Sequence, residues 1–258
     1  MKALVLTSLF AVCGVLSSTT SDAAPTPTSS ESDRAGLDSV ESGSYLLLQQ
    51  TVTVARVPVL ADIVATTRAL SIQKLELRGD RLVGEGRLCD LSVESSSDLV
   101  KTELPEAFRR ALPPPRTDAR LELRGGRIFF RQAAQTLVLG AKLSSPGEAL
   151  PTRVDDTRVV DSDRDGHPGV TVRVSGFVSG DIRLVQRSTS RLSGASVDGG
   201  FHGRVEFQND QVVLDATNPL LKNGPTSEAD FARSFFRLEK IPNDATCDEA
   251  RRRARSMR

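Results

Sequence analysis

Leu75-Glu76-Leu77-Arg78-Gly79-Asp80-Arg81-Leu82 decides the fold, together with a near copy, Leu121-Glu122-Leu123-Arg124-Gly125-Gly126-Arg127-Ile128. In an extended chain, successive side chains point to opposite faces, so each stretch puts its leucines on one face and its charges on the other. Gly-Asp and Gly-Gly supply the positive φ that a two-residue hairpin turn requires. A shared turn recipe explains the likeness of the two hairpins more simply than a true repeat does.

The same period of two continues on either side. Val52 and Val54 alternate with Thr51 and Thr53, and Val170, Val172 and Val174 alternate with Thr171, Arg173 and Ser175. Leu137, Leu139, Ala141 and Leu143 fall on one face. The pattern predicts strands with one buried and one wetter face, which favours antiparallel pairing. Asp198-Gly199-Gly200 and Asn209-Asp210 read as further turns. Helical signals are few. Residues 105–112 set Phe108 and Leu112 on one side before Pro113-Pro114-Pro115 stops the run. Ser227 is placed to cap a short helix through Phe231, residues 235–241 read as a strand, and Asp244 is placed to cap a last helix carrying Cys247 and Arg251-Arg252-Arg253. With no long helix between strands, the expected fold is all-β: an antiparallel sandwich or closed barrel of about ten strands with one to three short helices.

The chain has 258 residues, a formal charge of +1, no Trp and one Tyr, Tyr45. A near-neutral balance gives no reason to expect nucleic acid as a partner. The core must rest on Leu, Val and Ile, with Phe as the large filler. The Trp/Tyr girdles of an outer-membrane barrel are beyond this composition, so an integral membrane protein is not expected.

The first segment sets the expected compartment. Lys2 precedes a nearly unbroken apolar run over residues 3–16, and Ser21-Asp22-Ala23 presents small residues at the −3 and −1 positions of a cleavage site. The run is shorter than the ~20 residues of a membrane span and fits a secretory signal over residues 1–23, cleaved after Ala23 or Ala24. Secretion or export to a periplasm follows, and a lipid anchor on Cys13 is the lesser alternative, since Val12 suits a lipoprotein signal poorly. Residues 24–44 are rich in Ser, Thr, Pro, Asp and Glu and are expected to form a disordered tether ahead of a single β-rich domain over 45–258 with a basic C-terminal tail. Processing leaves Cys89 and Cys247, a pair expected to bridge in an oxidising compartment.

One loop carries pointed chemistry. Between Val159-Val160 and Val170-Thr171-Val172 run Asp161-Ser162-Asp163-Arg164-Asp165-Gly166-His167-Pro168-Gly169. Calcium wants six to eight oxygens, and carboxylates at alternate positions converge when the backbone curls around the ion. Asp161, Asp163 and Asp165 are the expected carboxylate ligands, with the His167 carbonyl beside them. The stretch resembles the D-x-D-x-D-G half-loop of EF-hand, dockerin and thrombospondin type 3 calcium sites. It departs from an EF-hand loop at the twelfth position, where Val172 stands in place of the bidentate acid, and at the ninth, which is Gly169. Water, Asp155, Asp156 or Asp181 would complete such a site, and a weak affinity of about 10⁻⁴–10⁻³ M is expected.

Catalytic patterns are lacking. His167 and His202 are far apart, and no nucleophile elbow, phosphate loop or nucleotide fingerprint is present. Asp155 and Asp156 are neighbours that would point to opposite faces of a strand, so no catalytic pair is assigned. The expected function is an exported, non-catalytic β domain with a weak calcium site, binding a glycan, a lipid or another envelope component. A carrier of an apolar ligand within a barrel is the alternative, and a glycan-active enzyme a lesser one.

Overall fold

A computed structural model of the chain describes residues 37, 39–56, 62–97, 100–222 and 226–257. Among the described residues there are eleven strands: β1 (Gly43–Ala55), β2 (Ile63–Arg78), β3 (Arg81–Ser95), β4 (Val100–Glu103), β5 (Arg116–Arg124), β6 (Arg127–Leu139), β7 (Val170–Gly176), β8 (Gly180–Val197), β9 (Gly200–Ala216), β10 (Ser227–Ala229) and β11 (Phe235–Ile241). Two short helices, α1 (Glu106–Ala111) and α2 (Cys247–Ser256), accompany them. The strands pair antiparallel, and eight of them close a hydrogen-bonded ring in the order β8–β6–β5–β3–β2–β1–β11–β9, with β9 returning to β8. Of the sandwich and the barrel, the ring selects the barrel. The signal segment, Cys13 and most of the 24–44 tether lie outside the described residues.

The two look-alike hairpins are β2–β3 and β5–β6, and they lie side by side through β3 and β5. Gly125 and Gly126 both have positive φ, 57° and 74°, as the two-residue turn demands. Closure needs sharp folding, and glycine permits it at two corners. A Cβ on Gly84 or Gly86 would meet the β2 carbonyls of Lys74 or Ile72 at 1.9 Å. Gly194 and Gly203 face each other across β8 and β9 with equally little room.

The interior is layered. Leu75, Leu82, Leu121, Phe130, Leu192, Phe236 and Leu238 fill one end of the ring, with Phe130 stacked obliquely on Phe201 and Phe236. Leu91, Leu137, Leu139, Val172, Ile182, Leu184 and Phe108 of α1 fill the other end. Between the two cores the inward positions turn polar: Gln49, Thr51 and Thr53 on β1, Thr67, Ser71 and Gln73 on β2, Gln132 on β6, and Gln186, Ser188 and Ser190 on β8 are all buried. Part of this belt bonds to itself, Thr117 Oγ1 donating to Gln73 Oε1 at 2.7 Å and Gln186 Nε2 to Ser188 Oγ at 2.6 Å.

Outside the ring, α2 covers Leu46, Leu48, Leu70 and Ile72 with Ala250 and Met257. The Cys89–Cys247 disulfide, spanning 158 residues of sequence, ties the start of α2 to β3. Thr246 caps the helix: its side chain accepts from the Glu249 N–H, and the Glu249 carboxylate accepts from the Thr246 N–H.

Several local expectations are corrected. Asp244 stands two residues ahead of the true cap, and it is Thr246 that has Glu three positions on. Residues 227–229 form β10, paired with β1, because the exposed edge of β1 offers a ladder that a few isolated helical residues cannot match. Asn209 and Asp210 lie in the middle of β9, opposite Ser188 and Arg187, so the true turn is Asp198-Gly199. In β1 the period is right and the phase is not. Thr51 and Thr53 share the inward face with Leu47 and Ala55, and Val52 is buried on the outer side, where its N–H donates to Ser234 Oγ. Leu137 and Leu139 belong to the inner core, whereas Ala141 and Leu143 lie past the end of β6 in a separate cluster. Ahead of β1, Leu37 and Val40 are buried against the ring and the Tyr45 hydroxyl donates to the Glu41 carbonyl.

Candidate metal centre

Residues 140–169 join β6 to β7 and fold over the outer surface of β8 and β9, where Ala141, Leu150 and Val159 pack on Val185, Val212 and Leu214. Two arginines hold the loop. Arg187, partly buried, pairs with Asp210 and donates to the carbonyls of Pro146 and Glu148. Arg158 bridges Asp156 and Glu148. That arginine pulls the Asp156 carboxyl down to about 2, first through the side-chain hydrogen bond and then through the Arg158 N–H. The base of the loop is pinned by backbone bonds from Val160 N to Gly140 O, Ser162 N to Gly169 O and Gly169 N to Val160 O. Gly140 and Gly169 both have positive φ, and a Cβ on either would run into the Leu184 carbonyl.

This scaffold brings together the three acids picked out by spacing: carboxylate oxygens of Asp161, Asp163 and Asp165 lie within 4.8 Å of one another. The loop fixes them. Asp161 accepts from the N–H groups of Asp165 and Gly166, and Asp165 Oδ1 accepts from the His167 N–H at 2.8 Å. Asp163 differs from the other two. It is 7% exposed, its Oδ2 accepts from the Thr171 N–H at 2.9 Å, and its Oδ1 is buried with no hydrogen-bond partner among the described residues. Thr171 Oγ1, next to it in the chain fold, is equally unpartnered. Burial, foremost, pushes the Asp163 carboxyl above the usual Asp value; the Thr171 N–H opposes this, and the charge of Asp165 adds to it.

A buried carboxylate oxygen without a donor costs about 1–3 kcal/mol or more. Two further acids beside it make the arrangement worse unless a cation or a proton joins them. The chemistry of the donor set is hard oxygen, suited to calcium or magnesium rather than to zinc.

The other expected contributors fall elsewhere. The His167 ring turns toward Arg183, 3.3 Å away, so only its backbone remains available to the acidic group. Asp155 pairs with Arg153, Asp156 with Arg158 and Asp181 with Arg173, leaving none of these three carboxylates free to complete the group. His202 lies on the outer face of β9, 5.9 Å from the Phe235 ring in an edge contact; burial first, then Arg237, lowers its pKa. Thr171 escaped the sequence reading because its role depends on β7 folding back beneath Asp163. An alternating Val-Thr-Val strand gives no hint of that.

No protein-family model matches the chain, and neither a curated protein nor a solved structure does. The acidic group must therefore be read from its own geometry. Among the described residues no helix is long and apolar enough to cross a membrane.

Proposed function

We propose that this protein is an exported, non-catalytic β-barrel domain whose β6–β7 loop binds calcium, and that it serves a binding role in an envelope or outside the cell. Asp161, Asp163 and Asp165 supply the carboxylates, the His167 carbonyl a further oxygen, and water the remainder. The unpartnered, buried Oδ1 of Asp163 carries the reading, because a divalent cation satisfies it and relieves the mutual repulsion of the three acids. A site with so few protein ligands is weak, at about 10⁻⁴–10⁻³ M, which is useful where calcium is plentiful. The Cys89–Cys247 bridge supports an oxidising compartment. The apolar-carrier alternative draws no support from an interior filled by Phe130, Phe236 and leucines.

Calcium that binds only the folded form stabilises it by mass action, about 1.8 kcal/mol at twentyfold above the dissociation constant. That corresponds to a rise of a few degrees in melting temperature. Magnesium, which demands a tight octahedron, should do much less. Melting curves of the full chain in chelator and in millimolar calcium test this. Identical curves would refute it.

A further inference from the structure

Most of the described arginines sit in ion pairs, as a balanced charge of +1 allows. Of the others, Arg87, Arg109, Arg164, Arg252 and Arg255 are scattered over loops, α1, α2 and β3, whereas Arg127, Arg131, Arg191, Arg204 and Arg237 share one face: the outer side of β6, β8, β9 and β11. Register makes them neighbours. Arg131 stands opposite Ser193, Ser193 opposite Arg204 and Arg204 opposite Phe235, forming one row across four strands. The next row runs Phe129, Ala195, His202, Arg237. Glu206, opposite Arg191, is the acid within the patch and forms no ion pair among the described residues. The nearby Glu122 and Glu239 are taken by Arg124 and Arg253.

The patch also has aromatic surface. The Arg237 guanidinium lies 5.8 Å from the Phe235 ring centroid. Arg191, Arg204, the acid Glu206 and the 48% exposed Phe231 line an open groove of about 520 Å³. Five arginines against one acid leave a net positive charge on the outer face of the barrel, where strands are ~4.8 Å apart, and such a face suits a partner that is anionic and extended.

We propose that this face docks an acidic polysaccharide, with Arg131, Arg191, Arg204 and Arg237 gripping its carboxylate or sulfate groups. Every cation of the grid is Arg rather than Lys, and the planar guanidinium matches an oxyanion with two parallel hydrogen bonds. Arg131 and Arg204 are two strand spacings apart, about 10 Å, a span that fits a chain of charges rather than one phosphate. Phe231 offers exposed apolar surface for the C–H face of a sugar ring. A bilayer fits less well, since its docking calls for protruding apolar side chains, and the most exposed one, Phe177 at 87%, lies on the β7–β8 turn instead.

The test is binding of the full chain to polygalacturonate, with uncharged dextran and anionic lipid vesicles as the other arms, all in chelator so that the calcium loop has no part. Polygalacturonate should bind, weaken steeply with added salt, and bind at least about tenfold less well to Arg131→Gln/Arg204→Gln. Arg191→Gln/Arg237→Gln should weaken it similarly, which keeps the test alive if one double variant fails to fold. Arg110→Gln on α1, an exposed and ion-paired position, should change nothing. Absent or salt-insensitive binding, equal binding to dextran, full binding by either folded double variant, or preference for vesicles would each overturn the proposal.

Discussion

Asp163 concentrates the energetics of the acidic loop. Replacing it with Asn removes a buried charge that no donor satisfies on its Oδ1 side, while an amide keeps an oxygen for the Thr171 N–H. Asp163→Asn should therefore melt at or above the wild-type temperature in chelator, yet lose the calcium-dependent rise. A drop of more than about 1 kcal/mol without calcium would mean that the carboxylate is stabilised by protein groups alone. Thr171→Val asks a narrower question. If the hydroxyl faces the ion, the variant should need several-fold more calcium for the same stabilisation and be no less stable without it. The triad was legible because its members are two residues apart, so a local curl of the chain can bring them together once the scaffold holds it. Thr171, Gly140 and Arg187 were not, because each contributes through tertiary contacts that spacing cannot encode.

The 140–169 segment behaves as an element in its own right, a flap clipped to β8 and β9 by Arg187. That guanidinium is 18% exposed and serves Asp210 and two loop carbonyls. Arg187→Met should cost roughly 2–3 kcal/mol, since it leaves a carboxylate and two carbonyls short of charged donors. It should also weaken the calcium response, because the acids are carried on the same flap; denaturant melts with and without calcium measure both. Asp156 supplies the pH dependence. Its folded pKa of about 2 lies below the ordinary value of 3.8, so its stabilising contribution is complete above pH 4 and fades as pH falls toward 2. The difference in stability between wild type and Asp156→Asn should shrink over that window and be constant above it. At this scale the strands and hairpins were readable from alternation and Gly-Gly or Gly-Asp turns. The inward face of β1 was not, because alternation fixes the period while tertiary packing fixes the phase. Val52 is buried on the outer side of the ring, and burial there looks the same in sequence as burial in the core.

At the scale of the molecule, one ring is covered on one side by a helix that a disulfide retains. Cys89 and Cys247 close a long loop, so reduction should release about 5 kcal/mol of unfolded-state restraint at most, and α2 should leave its seat on Leu46, Leu48, Leu70 and Ile72. Denaturant unfolding with and without reductant should show a large fall in midpoint, and Cys247→Ser should reproduce it. The ring itself holds two apolar cores separated by buried Gln, Thr and Ser. A belt of this kind stabilises only where its groups pair, and it pairs in part: Thr117 with Gln73, and Gln186 with Ser188. Thr53 Oγ1 and Gln211 Nε2 are buried and lack a partner among the described residues. Thr53 lies one inward step from Ala55 of the second core, so a methyl in place of its hydroxyl would extend that core toward the belt without changing the volume much. Removing an unsatisfied buried hydroxyl returns its desolvation cost, whereas removing a satisfied one forfeits a hydrogen bond worth about 1 kcal/mol. Thr53→Val should thus raise stability by about 1 kcal/mol in denaturant melts, and Thr117→Val, which breaks the bond to Gln73, should lower it by a similar amount. Equal losses for the two variants would show that water bonded to Thr53 completes the belt, making it a hydrated layer rather than a strained one.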